Sequence, residues 1–379
     1  MMASPSSWSL YSFVTPNQET KIPWPILSLS YWRKGGKLRI SPDPFAMRLA
    51  SPGPVTLLRM KKHSIVPALI ALLLSVAGGH LTVAQASSAA APQLAIIDTD
   101  IGDDIDDAFA LALALRSPEL KILGVTTEFG DTELRARLVD RYLAAVGRKD
   151  IPVAAGVATQ ANNVFTQAAY ARQAPERKHP DGVAFLLDQI RKHPGEVTII
   201  AIGPEGNLGA AIQRDATTFR KVKRVVLMGG SVYRGYGDGQ RPPQPEWNIL
   251  CDPAAAKALF TSGVPIFVMP LDSTQVHLPI EEREKIFAFG SPLTDQLTLL
   301  YHQWVARTDN HAADPTLFDP VAVTYAIRPD LCPAKPLRIE VDDKGMTRPV
   351  DGNPNAQVCL QSDEKGFLDL LLTRVASPQ

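Results

Sequence analysis

Cysteine is scarce in this chain: three in 379 residues, at Cys251, Cys332 and Cys359, with no CxxC or Cys/His spacing. That excludes a disulfide-stapled miniature scaffold and a zinc ribbon. One pair can form and one thiol is then left over, although the simpler reading of all three is small buried apolar side chains. Net charge is lacking as well. The 39 basic residues balance the 39 acidic ones, so no overall basic field points to nucleic acid and no acidic excess to a solvating tail. Long apolar runs are missing: the stretch from Ile65 to Gly78 is 14 residues, short of the roughly 20 that a bilayer-crossing helix needs. No internal repeat is visible. What remains, 45% hydrophobic and 21% charged residues, is the profile of a globular, enzyme-sized protein, and it excludes disorder, collagen and coiled coil.

The charge balance hides an uneven distribution. Up to Ala86 there are nine Lys or Arg against Glu19 and Asp43, so the rest of the chain keeps 30 basic and 37 acidic residues. Within this basic front, Met60-Lys61-Lys62-His63, the apolar run and Ala84-Gln85-Ala86 follow the n-region, h-region and small-residue order of a secretory signal peptide. The expected organisation is therefore an unstructured upstream extension at 1–59, rich in Ser and Pro, a signal peptide at 60–86, and a mature domain at 87–379. Export to the periplasm or beyond, with no stable membrane anchor, is the expectation.

From Leu94 onward, short runs rich in β-branched residues alternate with amphipathic stretches. Strands are expected at Leu94 to Ile97, Ile122 to Thr126, Val197 to Ile202, Val222 to Met228 and Val264 to Met269. Helical periodicity lies at Asp107 to Arg116, Glu133 to Val146, Gly182 to Lys192, Leu208 to Gln213 and Asp252 to Phe260. This order predicts a single α/β domain with a mainly parallel sheet flanked by helices. Leu337 to Val341, Met346 to Arg348 and Val358 to Leu360 read as a small β addition before a last helix at Phe367 to Val375.

Ligands of open parallel sheets bind at the carboxyl ends of the strands. The first strand ends in Asp98-Thr99-Asp100-Ile101-Gly102-Asp103-Asp104-Ile105-Asp106-Asp107, six carboxylates in ten residues. Like charges so close raise one another's pKa, and a hard divalent cation relieves them. Helix-dipole stabilisation accounts for Asp106 and Asp107 alone. An EF-hand fails because Gly102 stands where a ligand should and Phe109 takes the place of the closing Glu. A strand-ending DxD that uses Asp98 as a phosphoryl-accepting nucleophile stays open.

Asp98-Thr99-Asp100, Gly102 and Asp106-Asp107-Ala108, followed by Leu227-Met228-Gly229-Gly230, Glu246-Trp247-Asn248, Asp252-Pro253 and Asp319-Pro320, resemble the signature of the inosine-uridine nucleoside hydrolases, calcium-dependent N-ribohydrolases with a Rossmann-like fold. The resemblance runs from about Leu94 to the C-terminus. It implies Ca²⁺ on Asp100, Asp107, the Leu227 carbonyl and Asp319, with Asp100 as general base. It implies acceptors for the ribose of a small nucleoside at Asp106, Glu246, Asn248 and Asp319. Relatives also make a homo-oligomer an option.

The chain departs from that pattern in four places. Asp103-Asp104-Ile105 lengthens the acidic loop by about two residues, so Asp104 can replace a neighbour on the metal. Asp131 and Gln240 stand where relatives carry Asn. Phe318 replaces a His thought to protonate the leaving base, and Phe cannot donate a proton. His179, in a His-containing loop one residue short of the family's, is the alternative on the base side. Plainer readings are a solvated loop for Glu246 and Asn248, a helix N-cap at Asp252, a tight turn at Gly229-Gly230, and a helix start at Asp319-Pro320. A non-catalytic nucleoside or ribose binder is the remaining rival.

Overall fold

The computed structural model describes residues 91–160, 163–237, 241–307 and 314–378. The expected extension and signal peptide, and Gln240, lie outside the described residues. In chain order the elements are β1 Gln93–Thr99, α1 Asp106–Leu115, β2 Leu120–Thr127, α2 Thr132–Ala145, β3 Val153–Ala155, α3 Ala168–Ala171 and α4 Gly182–Lys192. They continue with β4 Val197–Ile202, α5 Gly206–Phe219, β5 Arg224–Met228, α6 Trp247–Cys251, α7 Pro253–Thr261, β6 Ile266–Met269 and α8 Leu271–Thr274. The last are α9 Ile280–Ala288, α10 Pro292–Val305, α11 Phe318–Ile327, β7 Ala334–Val341, β8 Thr347–Val350, β9 Ala356–Cys359 and α12 Glu364–Val375.

Nine strands form one sheet in the order β3-β2-β1-β4-β5-β6-β9-β7-β8. It is parallel from β3 through β9, while β7 runs antiparallel to β9 and β8 antiparallel to β7. Strands buried on both faces must be apolar at every position. In β1, Ile97 enters one hydrophobic core and Ile96 the other; in β4, Ile200 and Ile202 face the first core and Ile199 and Ala201 the second. Helix α1 is buried from Asp106 to Ala114, as its nearly unbroken Ala/Leu/Phe composition requires. The strand order reverses between β1 and β4, which makes their carboxyl ends the crevice where such sheets bind ligands.

Cys332 and Cys359 are joined in a disulfide that ties the start of β7 to the end of β9, and Cys251 is free. The reading of all three as inert buried residues is thereby corrected. No helix among the described residues is long and apolar enough to cross a membrane.

Candidate active site

Three chain segments deliver carboxylates to one cavity of about 350 Å³ above the β1/β4 crevice, a size suited to a small ligand. Asp100 follows β1; Asp106 and Asp107 form the first turn of α1; Asp319 lies in the first turn of α11. The helix N-termini favour the acids through their unpaired N–H groups. Asp319 is therefore a first-turn residue, not the N-cap, which is Leu317. The loop before α1 passes through Gly102 at φ +129°, where a Cβ would lie 2.0 Å from the Phe165 ring; only glycine fits there.

One oxygen each from Asp106, Asp107 and Asp319 lie within 4.8 Å of one another, and all three residues are buried. Burial first, and then the neighbouring carboxylates, push these three acids well above the ordinary carboxylate range. Asp100 is raised to about 7, again by burial, with Arg135 opposing the rise. Thr99 Oγ1 donates to Asp107 Oδ1 at 2.5 Å and the Asp319 N–H to Asp106 Oδ2 at 3.3 Å. Those donors do not neutralise four acids. The clustered oxygens suit a hard, oxygen-seeking cation.

Glu246 and Asn248 also line the cavity, and they are not a solvated loop. Glu246 caps α6, accepting from the N–H groups of Asn248 at 2.9 Å, Ile249 at 3.2 Å and Gly230 at 2.9 Å. Gly230, at φ +89°, makes the tight turn expected of the double glycine. Asn248 Nδ2 donates to the Met228 carbonyl at 3.1 Å. Asp252 caps α7 as expected, accepting from Ala255 N–H.

Leu227 sits inside β5, in register with Ala201 and Val268 on the flanking strands, with its side chain in the core; the group assigned to the metal is its main-chain carbonyl. The strand-end residues that reach the cavity are Ile202 and Met228. Two assignments, Asp131 and His179, do not survive. Asp131 is the N-cap of α2, accepting from Leu134 N–H at 3.0 Å, and is absent from the cavity wall. His179 is buried away from the cavity, its ring nitrogens 2.6 Å from Glu133 and 2.9 Å from Asp140. Asp104 stays outside the converging trio; it is exposed at the rim, where its Oδ1 accepts from Ile105 N–H at 2.6 Å. Asp98, the rival nucleophile, is sealed beneath the cavity, bonded to Thr126 Oγ1 and, at 2.7 Å, to Asn207 Nδ2. No phosphate can reach it.

Several contributors had no motif. Arg135 of α2 is buried and donates to Phe129 O at 2.7 Å, Ile101 O at 3.1 Å, Asp100 O and, at 2.6 Å, Asp103 Oδ2. It holds the acidic loop and helps fix Phe129 at φ +60°, a strained value for a bulky residue. Asn163, Tyr236 and Trp304 also line the cavity. Tyr236 belongs to the segment that leads into Glu246, and it is anchored when its hydroxyl accepts from Trp247 N–H at 2.9 Å.

Comparison with known proteins agrees with this geometry. The family model described as inosine-uridine preferring nucleoside hydrolase matches residues 95–369. A uridine nucleosidase of Arabidopsis thaliana is 33% identical over 66% of this chain and 79% of its own length. A pyrimidine-specific ribonucleoside hydrolase of Citrobacter koseri is 32% identical over 74% of this chain and 97% of its own. Among solved structures, a plant nucleoside hydrolase superposes with a TM-score of 0.68 at 29% identity, covering 76% of this chain and 100% of that one. A purine-preferring ribonucleoside hydrolase from Gardnerella vaginalis gives 0.66 at 25% identity, covering 75% and 98%.

Proposed function

Because the chain belongs to the inosine-uridine preferring nucleoside hydrolase family, N-glycosyl hydrolases, we propose that it cleaves the N-glycosidic bond of a ribonucleoside with a Ca²⁺-activated water. The observation that carries this is the convergence of Asp106, Asp107 and Asp319, with Asp100 on the same cavity and, among the described residues, no Lys, Arg or His lining it. An all-oxygen set of four carboxylates fits Ca²⁺ better than Mg²⁺, which keeps most of its waters. A bound ion supplies charge that acidifies and orients a water.

The remaining steps belong to the protein. Asp100, buried and raised to about 7, accepts the proton of the attacking water. The sugar passes through an oxocarbenium-like state, which negative groups around the ring stabilise. Glu246 and Asn248, held rigid by backbone contacts to α6 and β5, orient the ribose hydroxyls. The test is free ribose released from uridine, cytidine and inosine with Ca²⁺ added. Release from at least one supports the reading; release from none overturns it.

We also propose export, which the Lys61-Lys62 leader pattern and the Cys332–Cys359 disulfide support. A mature N-terminus near Ser87 is the expected sequencing result, and an intact Met1 contradicts it.

A further inference from the structure

A second cavity, of about 500 Å³, lies where β3 forms the edge of the sheet, between that strand, α2 and the chain at 173–180. No described residue lines both this cavity and the acidic one. Its wall includes Leu143, Ile151, Val153 and Ala174, each at most 5% exposed. Pro152, Pro175 and Pro180 add rigid faces. The ladder leaves part of this edge unpaired. Val125 N–H donates to the Pro152 carbonyl at 2.9 Å and Gly156 N–H to the Thr127 carbonyl at 2.8 Å. Pro152, Ala154 and Gly156 therefore face β2, while Val153 and Ala155 turn their main-chain groups off the sheet. Ala155 N–H donates to the Pro180 carbonyl at 3.0 Å. The chain before Pro180 is drawn instead to α2, by Arg177 on Asp140 at 2.6 and 2.7 Å and by His179 between Glu133 and Asp140. The Val153 N–H and carbonyl have no partner among the described residues, and buried main-chain groups seldom stay unpaired.

Charge on this wall is unbalanced in the opposite sense to the acidic cavity. Arg141, Lys149 and Arg177 stand against one acid, Asp140. The carboxylates of this region are already taken: Asp140 by Arg177, Asp150 by Arg148 and Glu176 by Arg137. Arg141 lies over the Tyr170 ring at 3.8 Å and gives one N–H to the Tyr170 carbonyl at 2.9 Å. Neither Arg141 nor Lys149 is paired with a carboxylate among the described residues. A neutral apolar molecule would leave those cations and the Val153 groups unmet, and a bare inorganic anion would leave the apolar wall uncovered. We propose that this cavity is a binding site, separate from the hydrolytic one, for a small aromatic carboxylate. Its ring packs against Leu143, Ile151 and the prolines. Its charge is met by Arg141 and Lys149, and the Val153 N–H offers a further donor.

Direct binding tests this, with three probes titrated into the full chain by calorimetry. The first, 2-naphthoate, should bind one equivalent per chain. It should bind about tenfold or more tighter than acetate, which has the charge without the ring, and than 2-naphthamide, which has the ring without the charge. Lys149→Gln should weaken 2-naphthoate about threefold or more and leave 2-naphthamide unchanged. Ala144→Trp, at an exposed helix position on the cavity wall, should fill the space and abolish 2-naphthoate binding while circular dichroism stays the same. No binding of 2-naphthoate, or binding no tighter than either control, overturns the proposal. So does an affinity that neither variant changes. If Ala144→Trp does not fold, Lys149→Gln and the ratio of 2-naphthoate to 2-naphthamide decide alone.

Discussion

Two tiers of buried acids lie at the same end of the sheet, and they differ in what they face. The upper tier, Asp100, Asp106, Asp107 and Asp319, opens onto a cavity. The lower tier, Asp98, Glu128 and Glu205, is fully buried and lines no part of it. Asn207 knits part of the lower tier together, with Nδ2 on Asp98 at 2.7 Å and its N–H on Glu128 Oε2 at 3.2 Å. Both Glu205 oxygens, Asp98 Oδ2 and Glu128 Oε1 are buried without a hydrogen-bond partner. Burial raises the acids of both tiers. Burial alone therefore does not mark a catalytic acid; convergence on a space that a cation and a sugar can enter does.

The comparison breaks most sharply at Asp100. Asp100→Ala should lower kcat by more than about 10³-fold while the protein stays folded; a steady-state assay with circular dichroism checks both. In the lower tier the effect should fall on stability and favour the variant. Glu205 has a folded pKa well above 4.5, so the folded state binds the proton more tightly than the unfolded one, and stability is lost as pH rises from the unfolded pKa through the folded one. Glu205→Gln removes that loss and should gain about 1–3 kcal/mol at pH 8 relative to wild type, with little difference at pH 4; denaturant titration at both pH values measures it.

The upper tier carries the same sign in the metal-free protein, with one addition. Its acids must shed protons to take an ion, so Ca²⁺ should raise Tm by several degrees more at pH 8 than at pH 5, a comparison for differential scanning calorimetry. An equal rise at both would put the ion elsewhere. Smallest is Asp131→Ala, which removes only a helix cap: about 1 kcal/mol of stability, with kcat/KM changed less than about threefold.

Much of the scaffold was legible because strand and helix periods are long-range regularities of the chain. The expected limits of β4 and α4, Val197 to Ile202 and Gly182 to Lys192, coincide with the observed elements. Expected β5 began two residues early, since Val222 and Lys223 lie in the turn that precedes Arg224. Helix α5 runs on to Phe219 because Asp215, at φ −157°, interrupts it and recaps the next turn through Thr218 N–H. Acids that share a cavity were legible for a different reason: their crowding is unstable without a cation wherever the chain goes. His179 and Asp131 misled because a loop position says nothing of direction. Each is occupied by local structure, an acid pair in one case and a helix cap in the other. Arg135 and Trp304 carried no signal, since each acts through a contact made only on folding, with the acidic loop in one case and the cavity wall in the other.

The central claim is that the upper tier holds one ion on which hydrolysis depends. It is tested most directly by stripping the protein with chelator and following ribose release as Ca²⁺ is returned. The account predicts no turnover in the stripped enzyme and recovery that saturates with a single site, absent in Asp107→Asn. Full turnover in stripped protein, unchanged by Ca²⁺, would contradict it.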